Sequence, residues 1–188
     1  MRRHLQAYHA LVTEAVAQLG SVPARAELAG QARELLERGL ARILGSEPDH
    51  HLDAMTDGRG LFEHAKGVVP RRQHGYCVDD NARLLVVASR QPIDLRVARL
   101  SQVALQLMLA ALAPDGRSRN RMNVAGSWTD QPATADWWGR NVWGLGVAAA
   151  LHPDDGIRTA ARAGFDLAAG QRSSSRRAMA FAALGAAE

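Results

Sequence analysis

The chain has 188 residues, of which 47% are hydrophobic and 22% charged, and these proportions are typical of a globular domain and exclude wholesale disorder. The net charge of +4 comes from arginine, because Lys66 is the only lysine, and the arginines are scattered singly or in pairs. A nucleic-acid-binding face usually clusters its basic residues, so the composition argues against a nucleic-acid partner.

Cysteine usage and hydropathy favour the cytoplasm. Cys77 is the only cysteine, so no disulfide can form within the chain. The basic N-terminus is followed by an amphipathic pattern instead of the uninterrupted apolar stretch of a secretory signal. No window is both long and apolar enough to span a bilayer. We therefore predict a soluble cytoplasmic protein without a membrane partner.

Alanine and leucine dominate the chain and strand-forming runs are scarce, which predicts an all-α protein. Apolar residues recur at helical spacing near 5–19 and 24–44, and the second segment has one polar face. These N-terminal helices form a first segment, 1–46. The domain that carries the candidate site is predicted to cover 47–188.

Two long polar loops, 45–78 and 114–135, each lead into an unusually apolar helix. The first loop contains apolar anchors, so we expect it to be ordered. The predicted helices of this domain lie near 79–90, 95–113, 136–151, 157–169 and 176–187. Short connections make successive helices antiparallel, so the helices that start at 79, 136 and 176 point the same way. Their N-termini are expected to meet at one face.

Acidic residues at these loop-to-helix junctions are the candidate catalytic groups. Glycoside cleavage needs a proton donor and a base or nucleophile on either side of the bond. A helix N-terminus favours an ionised carboxylate, which suits Asp80 as the base, and Glu63 follows two apolar residues, which suits an acid. Asp79 and Asp136 are further catalytic candidates, and both also fit the role of helix N-cap.

Aromatic and polar side chains at the same junctions predict a sugar-binding surface, because aromatic faces stack on pyranose rings while arginine and aspartate bind hydroxyl pairs. The predicted substrate-binding residues are Tyr76, Trp128, Trp137, Trp138, Arg140, His74, Arg83 and Asp57. Core packing is the alternative for Trp138, a turn for Asp57, and an ion pair with Asp80 for Arg83. His64 and His74 match no standard metal-ligand spacing, so no metal or cofactor is predicted.

Three segments carry a resemblance to a known superfamily. They are 52–65 (LDAMTDGRGLFEHA), 74–83 (HGYCVDDNAR) and 136–146 (DWWGRNVWGLG). With the helical layout, they resemble the (α/α)-toroid, or six-hairpin glycosidase-like, superfamily, in an uncharacterised bacterial branch whose members lie beside, or fused behind, retaining glycosyltransferases with two Rossmann domains. The similarity runs from about residue 47 to the C-terminus, and the Tyr-Cys-x-Asp-Asp run is its most specific part.

The resemblance implies antiparallel helical hairpins arranged as part of an (α/α)6 toroid. A full ring needs about twelve helices, and the chain carries about half of one, so we expect a domain truncated at its C-terminus, with an open apolar edge that invites self-association. The resemblance implies a glycoside hydrolase-like domain. Such a domain would bind an oligo- or polysaccharide, or cleave it by hydrolysis or phosphorolysis. The alternatives are a non-catalytic glycan-binding module, an accessory module of a glycosyltransferase, or an inactive fragment.

Overall fold

The computed structural model describes residues 48–188, so the predicted helices of segment 1–46 lie outside the described residues. Within residues 48–188 the chain is mainly helical, which confirms the predicted mainly-α class. The helices are α1 (Pro48–Met55), α2 (Val78–Ala88), α3 (Leu95–Ala111), α4 (Asp136–Leu151), α5 (Asp155–Ala169) and α6 (Arg176–Ala186). Asp94 caps α3, because its Oδ1 accepts from the Val97 N–H at 2.7 Å.

The two long loops contain more regular structure than the sequence predicts. The first begins with α1, where no helical period is visible, and continues with strands β1 (Ala65–Lys66), β2 (Val69–Pro70) and β3 (Tyr76–Cys77). Strand β4 (Arg121–Met122) lies in the second loop and pairs antiparallel with β3. The loops are therefore hydrogen-bonded to each other, a tertiary contact that no local pattern encodes.

Helices α2 and α4 run parallel, as predicted. At their starts Arg140 Nη1 lies 2.9 Å from Asp79 Oδ1, and one turn further on both helices Gly144 packs against Ala82. Because the paired positions advance together along both helices, the helices point the same way and their N-termini lie at the same end.

Helices α4 and α6 are also parallel and pack backbone to backbone. Gly139 faces Ala178, and Gly146 faces Gly185 two turns later. A Cβ on Gly139 would lie 2.7 Å from Ala178 Cα, so only glycine permits this approach. Three helix N-termini, those of α2, α4 and α6, thus share one end.

Helices α3 and α5 run the other way, which confirms the predicted alternation. Along α4, Asn141 Nδ2 donates to Met108 O at 3.1 Å and His152 Nε2 lies 2.9 Å from Ser101 Oγ, so α3 is antiparallel to α4. For α5, the Trp138 indole N–H donates to Ala168 O, while Gly164 packs against a later residue of α4, Leu145.

The main core lies between α2, α3, α4 and α5, and smaller apolar clusters lie under the first loop and between α4, α5 and α6. Although the sequence of α2 is unusually apolar, its Arg83 and Val87 side chains are exposed. Trp143 is half-buried, with its ring centre 5.7 Å from that of Phe181 on α6. Among residues 48–188, no helix combines the length and apolar content needed to cross a bilayer.

Candidate functional site

The N-terminus of α2 is capped from a distance by Asn120. Helix α2 starts at Val78, and the residue at the cap position, Cys77, makes no side-chain cap bond. Instead, Asn120 Oδ1 accepts from the Val78 and Asp79 N–H groups at 3.2 and 3.4 Å. Asp130 holds this loop in place, because its Oδ2 accepts from the Asn120 N–H at 2.6 Å. The N-cap prediction for Asp79 is therefore wrong, and sequence reasoning missed Asn120 because it lies in the other long loop.

Asp79 instead pairs with Arg140. The carboxylate is 2.9 Å from the guanidinium, in a charge contact and not an aligned hydrogen bond. The Arg140 side chain is only 8% exposed, and its guanidinium lies 4.8 Å from the centre of the Phe181 ring on α6. Arg140 was predicted to bind substrate. In the structure it joins the first turns of α2 and α4 to α6, with little surface left for a ligand.

Asp80 sits one position further on and has two partners. It accepts a hydrogen bond from the Cys77 thiol at 3.0 Å and forms an ion pair with Arg83 on the next turn. The sequence predicted this ion pair as the alternative role of Arg83. Burial raises the pKa of the Cys77 thiol far above its usual range, and the charge of Asp80 raises it further. Cys77 therefore stays protonated and serves as a donor to Asp80, so it is not a nucleophile.

Glu63 also lies near Cys77. It pairs with Arg121, which is opposite Cys77 in the β3–β4 pair, and its charge contributes to the raised pKa of the thiol. Glu63 lies 3.7 Å from His64 as well. An ion pair requires a carboxylate, whereas a general acid must carry a proton. This environment differs from the apolar one that the sequence suggested for Glu63.

Asp136 joins α4 to α6. The residue at the cap position of α4 is Ala135, without a side-chain cap bond, so the N-cap prediction for Asp136 is wrong. Its Oδ1 accepts from the Ser175 hydroxyl at 3.0 Å, and its Oδ2 lies 3.3 Å from the Arg177 guanidinium. Ser175 caps α6 in turn, by accepting from the Ala178 N–H.

Two of the four predicted sugar-stacking rings are buried. Tyr76 and Trp138 are each 1% exposed. Tyr76 stacks on Phe62, and its hydroxyl donates to Asp57 Oδ2 at 2.7 Å. Burial raises the pKa of Tyr76, and this hydrogen bond raises it further. Neither ring offers a face to a sugar, so both are core residues. Asp57 is a turn residue, the alternative given by the sequence, because its Oδ1 accepts from the Arg59 N–H.

The other two rings, Trp128 and Trp137, are half-buried and keep part of their surface open. Trp137 lies in the first turn of α4 and donates its indole N–H to Ser118 O at 2.8 Å, which fixes the ring. Trp128 follows β4 and packs against the apolar cluster below the first loop. His74 and Arg83 are exposed, and His74 contacts the His64 ring edge-on at 4.6 Å.

The resulting surface is polar and dominated by paired charges. Each of the four predicted catalytic carboxylates has an arginine partner: Glu63 with Arg121, Asp79 with Arg140, Asp80 with Arg83, and Asp136 with Arg177. Such pairs present several donors and acceptors to hydroxyl groups.

Within the described part of the chain, no group of three or more His, Cys, Asp or Glu side chains is arranged to hold a metal ion. A groove of about 470 Å³ lies between the end of α3 and α5, but its lining is apolar, including Leu109, Leu112 and Leu167, and contains none of the candidate residues.

Comparison with known proteins adds no assignment: no protein-family model matches the chain, and no curated protein sequence matches it significantly.

Proposed function

We propose that this chain binds an oligo- or polysaccharide at the shared N-terminal end of α2, α4 and α6. The observation that carries the proposal is the parallel packing of these helices, which brings acidic and basic side chains of the first turns together with the partly open ring of Trp137. The partly open ring of Trp137 and the more exposed pairs at this end, Asp80–Arg83 and Asp136–Arg177, match the apolar faces and hydroxyl edges of a sugar.

Binding fits this geometry better than catalysis does. A glycosidase needs one carboxyl group that carries a proton and a second that is free to act as base or nucleophile. Glu63, the predicted acid, already pairs with Arg121, and Asp80 accepts from Cys77 and pairs with Arg83. Both carboxyl groups are therefore engaged by protein partners, which favours a non-catalytic role.

Glycoside hydrolysis or phosphorolysis is the second candidate. It is favoured by the nearness of both Glu63 and Asp80 to Cys77, which gives two carboxylates at one end of the domain. A substrate that displaced Arg121 or Arg83, both of which are exposed, would release these groups for acid–base chemistry.

The larger architecture belongs to the same proposal. Parallel α2, α4 and α6 with antiparallel α3 and α5 are the arrangement expected of inner and outer helices in part of an (α/α) toroid. The sequence resemblance adds a glycosyltransferase as the proposed protein partner and the cytoplasm as the proposed location. In this account the chain presents a glycan to, or receives one from, that enzyme.

A glycan array with the purified chain tests the proposal. We expect selective binding to a small group of oligosaccharides, and binding about tenfold weaker in Trp137→Ala, because a sugar–aromatic contact is lost. Trp143→Phe, further along α4, is the matched control and is expected to bind normally. A folded chain that binds no glycan, or binds equally well in Trp137→Ala, contradicts the proposed site. Product analysis with Asp80→Asn and Glu63→Gln then separates binding from cleavage.

A further inference from the structure

A small β-hairpin stands away from the body of the domain. Strands β1 and β2 pair Ala65 with Pro70 and Lys66 with Val69, and the hairpin is closed below by the Arg71 N–H donating to His64 O at 2.7 Å. Its turn contains Gly67 with φ of 60°, the left-handed region that glycine adopts without strain. All residues from 64 to 74 except Pro70 are exposed. We call residues 64–71 the projecting hairpin.

The tip of the projecting hairpin is apolar. Val68 is 73% exposed and Val69 is 63% exposed, and the two are adjacent. Val68 lies in the turn and Val69 begins β2, so the two apolar side chains stand together at the end of the ribbon. Exposed apolar side chains placed together on a protruding element mark an interaction surface more often than isolated ones do.

The flanks of the hairpin are basic. Lys66 precedes the tip, Arg71 and Arg72 follow it, and no acidic residue occurs anywhere from 64 to 78. Arg72 is anchored at the base, with its guanidinium 5.0 Å from the centre of the Phe62 ring. An apolar tip flanked by basic side chains is an arrangement that suits an anionic lipid interface, where the apolar groups enter the acyl boundary and the basic groups stay among the headgroups.

We propose that the projecting hairpin docks this protein onto an anionic membrane surface. Charge complementarity selects a negatively charged partner, and an exposed turn with only two apolar side chains suits shallow insertion into a lipid interface. This docking needs no membrane-spanning segment and is independent of the proposed sugar site. It revises the expectation from sequence that the chain has no membrane partner.

Vesicle sedimentation with the full chain tests the proposal. The probes are vesicles of phosphatidylcholine alone and vesicles in which roughly one third of the lipid is phosphatidylserine. We expect binding to the anionic vesicles only, and its loss in about 0.5 M NaCl because salt screens the attraction. The double variant Val68→Ser/Val69→Ser is expected to lower the partition coefficient about tenfold. Lys66→Gln/Arg71→Gln is expected to abolish the preference for anionic lipid.

Leu184→Ser is the matched control, because Leu184 is 53% exposed on α6, outside the hairpin, and its replacement is expected to leave vesicle binding unchanged. Circular dichroism checks that each variant is folded. Three results overturn the proposal: no binding of the folded chain to anionic vesicles, equal binding to neutral vesicles, or equal binding by the double valine variant. The first of these would leave an acidic protein surface as the occupant of the hairpin.

Discussion

Replacing Gly139 by alanine tests the parallel packing of α4 and α6. An added Cβ would lie 2.7 Å from Ala178 Cα and 2.8 Å from Ala178 C, whereas ordinary contact begins at 3.4 Å. Both neighbours are backbone atoms, so no side chain can rotate away. The Ala178 carbonyl oxygen is nearer still, so the helices must separate by more than about 0.7 Å (3.4 minus 2.7) along a seam that also includes Gly146 and Gly185. Overpacking of this kind costs about 1–3 kcal/mol.

The control for this variant is Gly170→Ala. At Gly170 the nearest atom to an added Cβ is 3.6 Å away, so the substitution meets no obstacle and carries the gain in backbone preference that alanine brings to any helical site. In urea unfolding followed by circular dichroism, we expect a midpoint for Gly139→Ala that is lower than that of Gly170→Ala by about 0.5–1.5 M, with an m-value near 2 kcal/mol/M. Equal midpoints would refute the close parallel contact.

Three further predictions concern stability. Asn120→Ala removes the side-chain part of the remote cap of α2, while the Val78 N–H keeps its bond to Asn120 O, and is expected to lower the free energy of unfolding by about 1–2 kcal/mol in urea unfolding. Asn123→Ala, which loses one exposed hydrogen bond from the Ser127 N–H, is expected to cost less, and equal losses in both would contradict the cap. Asp79→Asn leaves the charge of Arg140 buried without its partner and is expected to cost about 2–4 kcal/mol; a double-mutant cycle with Arg140→Met should show that the two losses do not add, and additive losses would exclude a direct pair. Burial lowers the pKa of His152, so on acidification the unfolded chain takes up the proton before the folded chain does, and stability should fall as the pH drops below about 6.5. Between pH 7 and 5, the urea midpoint of His152→Gln should fall less steeply than that of the unchanged chain. Equal slopes for the two chains would contradict this.

Helix positions and directions were predictable from the sequence because they depend on local signals. The apolar periodicity marks α2 to α6, and the short connections around Gln91 and Pro153 require each helix pair to reverse. The cap of α3 follows from one residue, Asp94, whose partner is three positions away. All of this information lies within a few residues along the chain.

The chemistry of the site was less predictable because its partners are distant in sequence. Asp79 and Asp136 look like caps when only their own helices are considered. The residue that caps α2, Asn120, is brought there by the pairing of β3 with β4, and Arg140 reaches Asp79 only because α2 and α4 are parallel. No periodicity in the sequence encodes either contact.

The aromatic residues illustrate the same limit. Four rings at two loop-to-helix junctions suggested a stacking surface, but burial divides them into core residues and partly open ones. Tyr76 is enclosed because the first loop folds over it and places Phe62 against its ring. Trp138 faces α5, one position along the helix from Trp137, which faces the second loop. Adjacent residues on a helix point about 100° apart, so only the packing of the neighbours decides which ring is open.

The central claim, that the shared end of α2, α4 and α6 holds a glycan, is tested most directly by hydrogen–deuterium exchange of the full chain with and without a saturating oligosaccharide chosen from the array. The account predicts slower exchange in the first turns of α2 and α4 and around Trp137. Unchanged exchange in these segments, or protection confined to other parts of the chain, would contradict it.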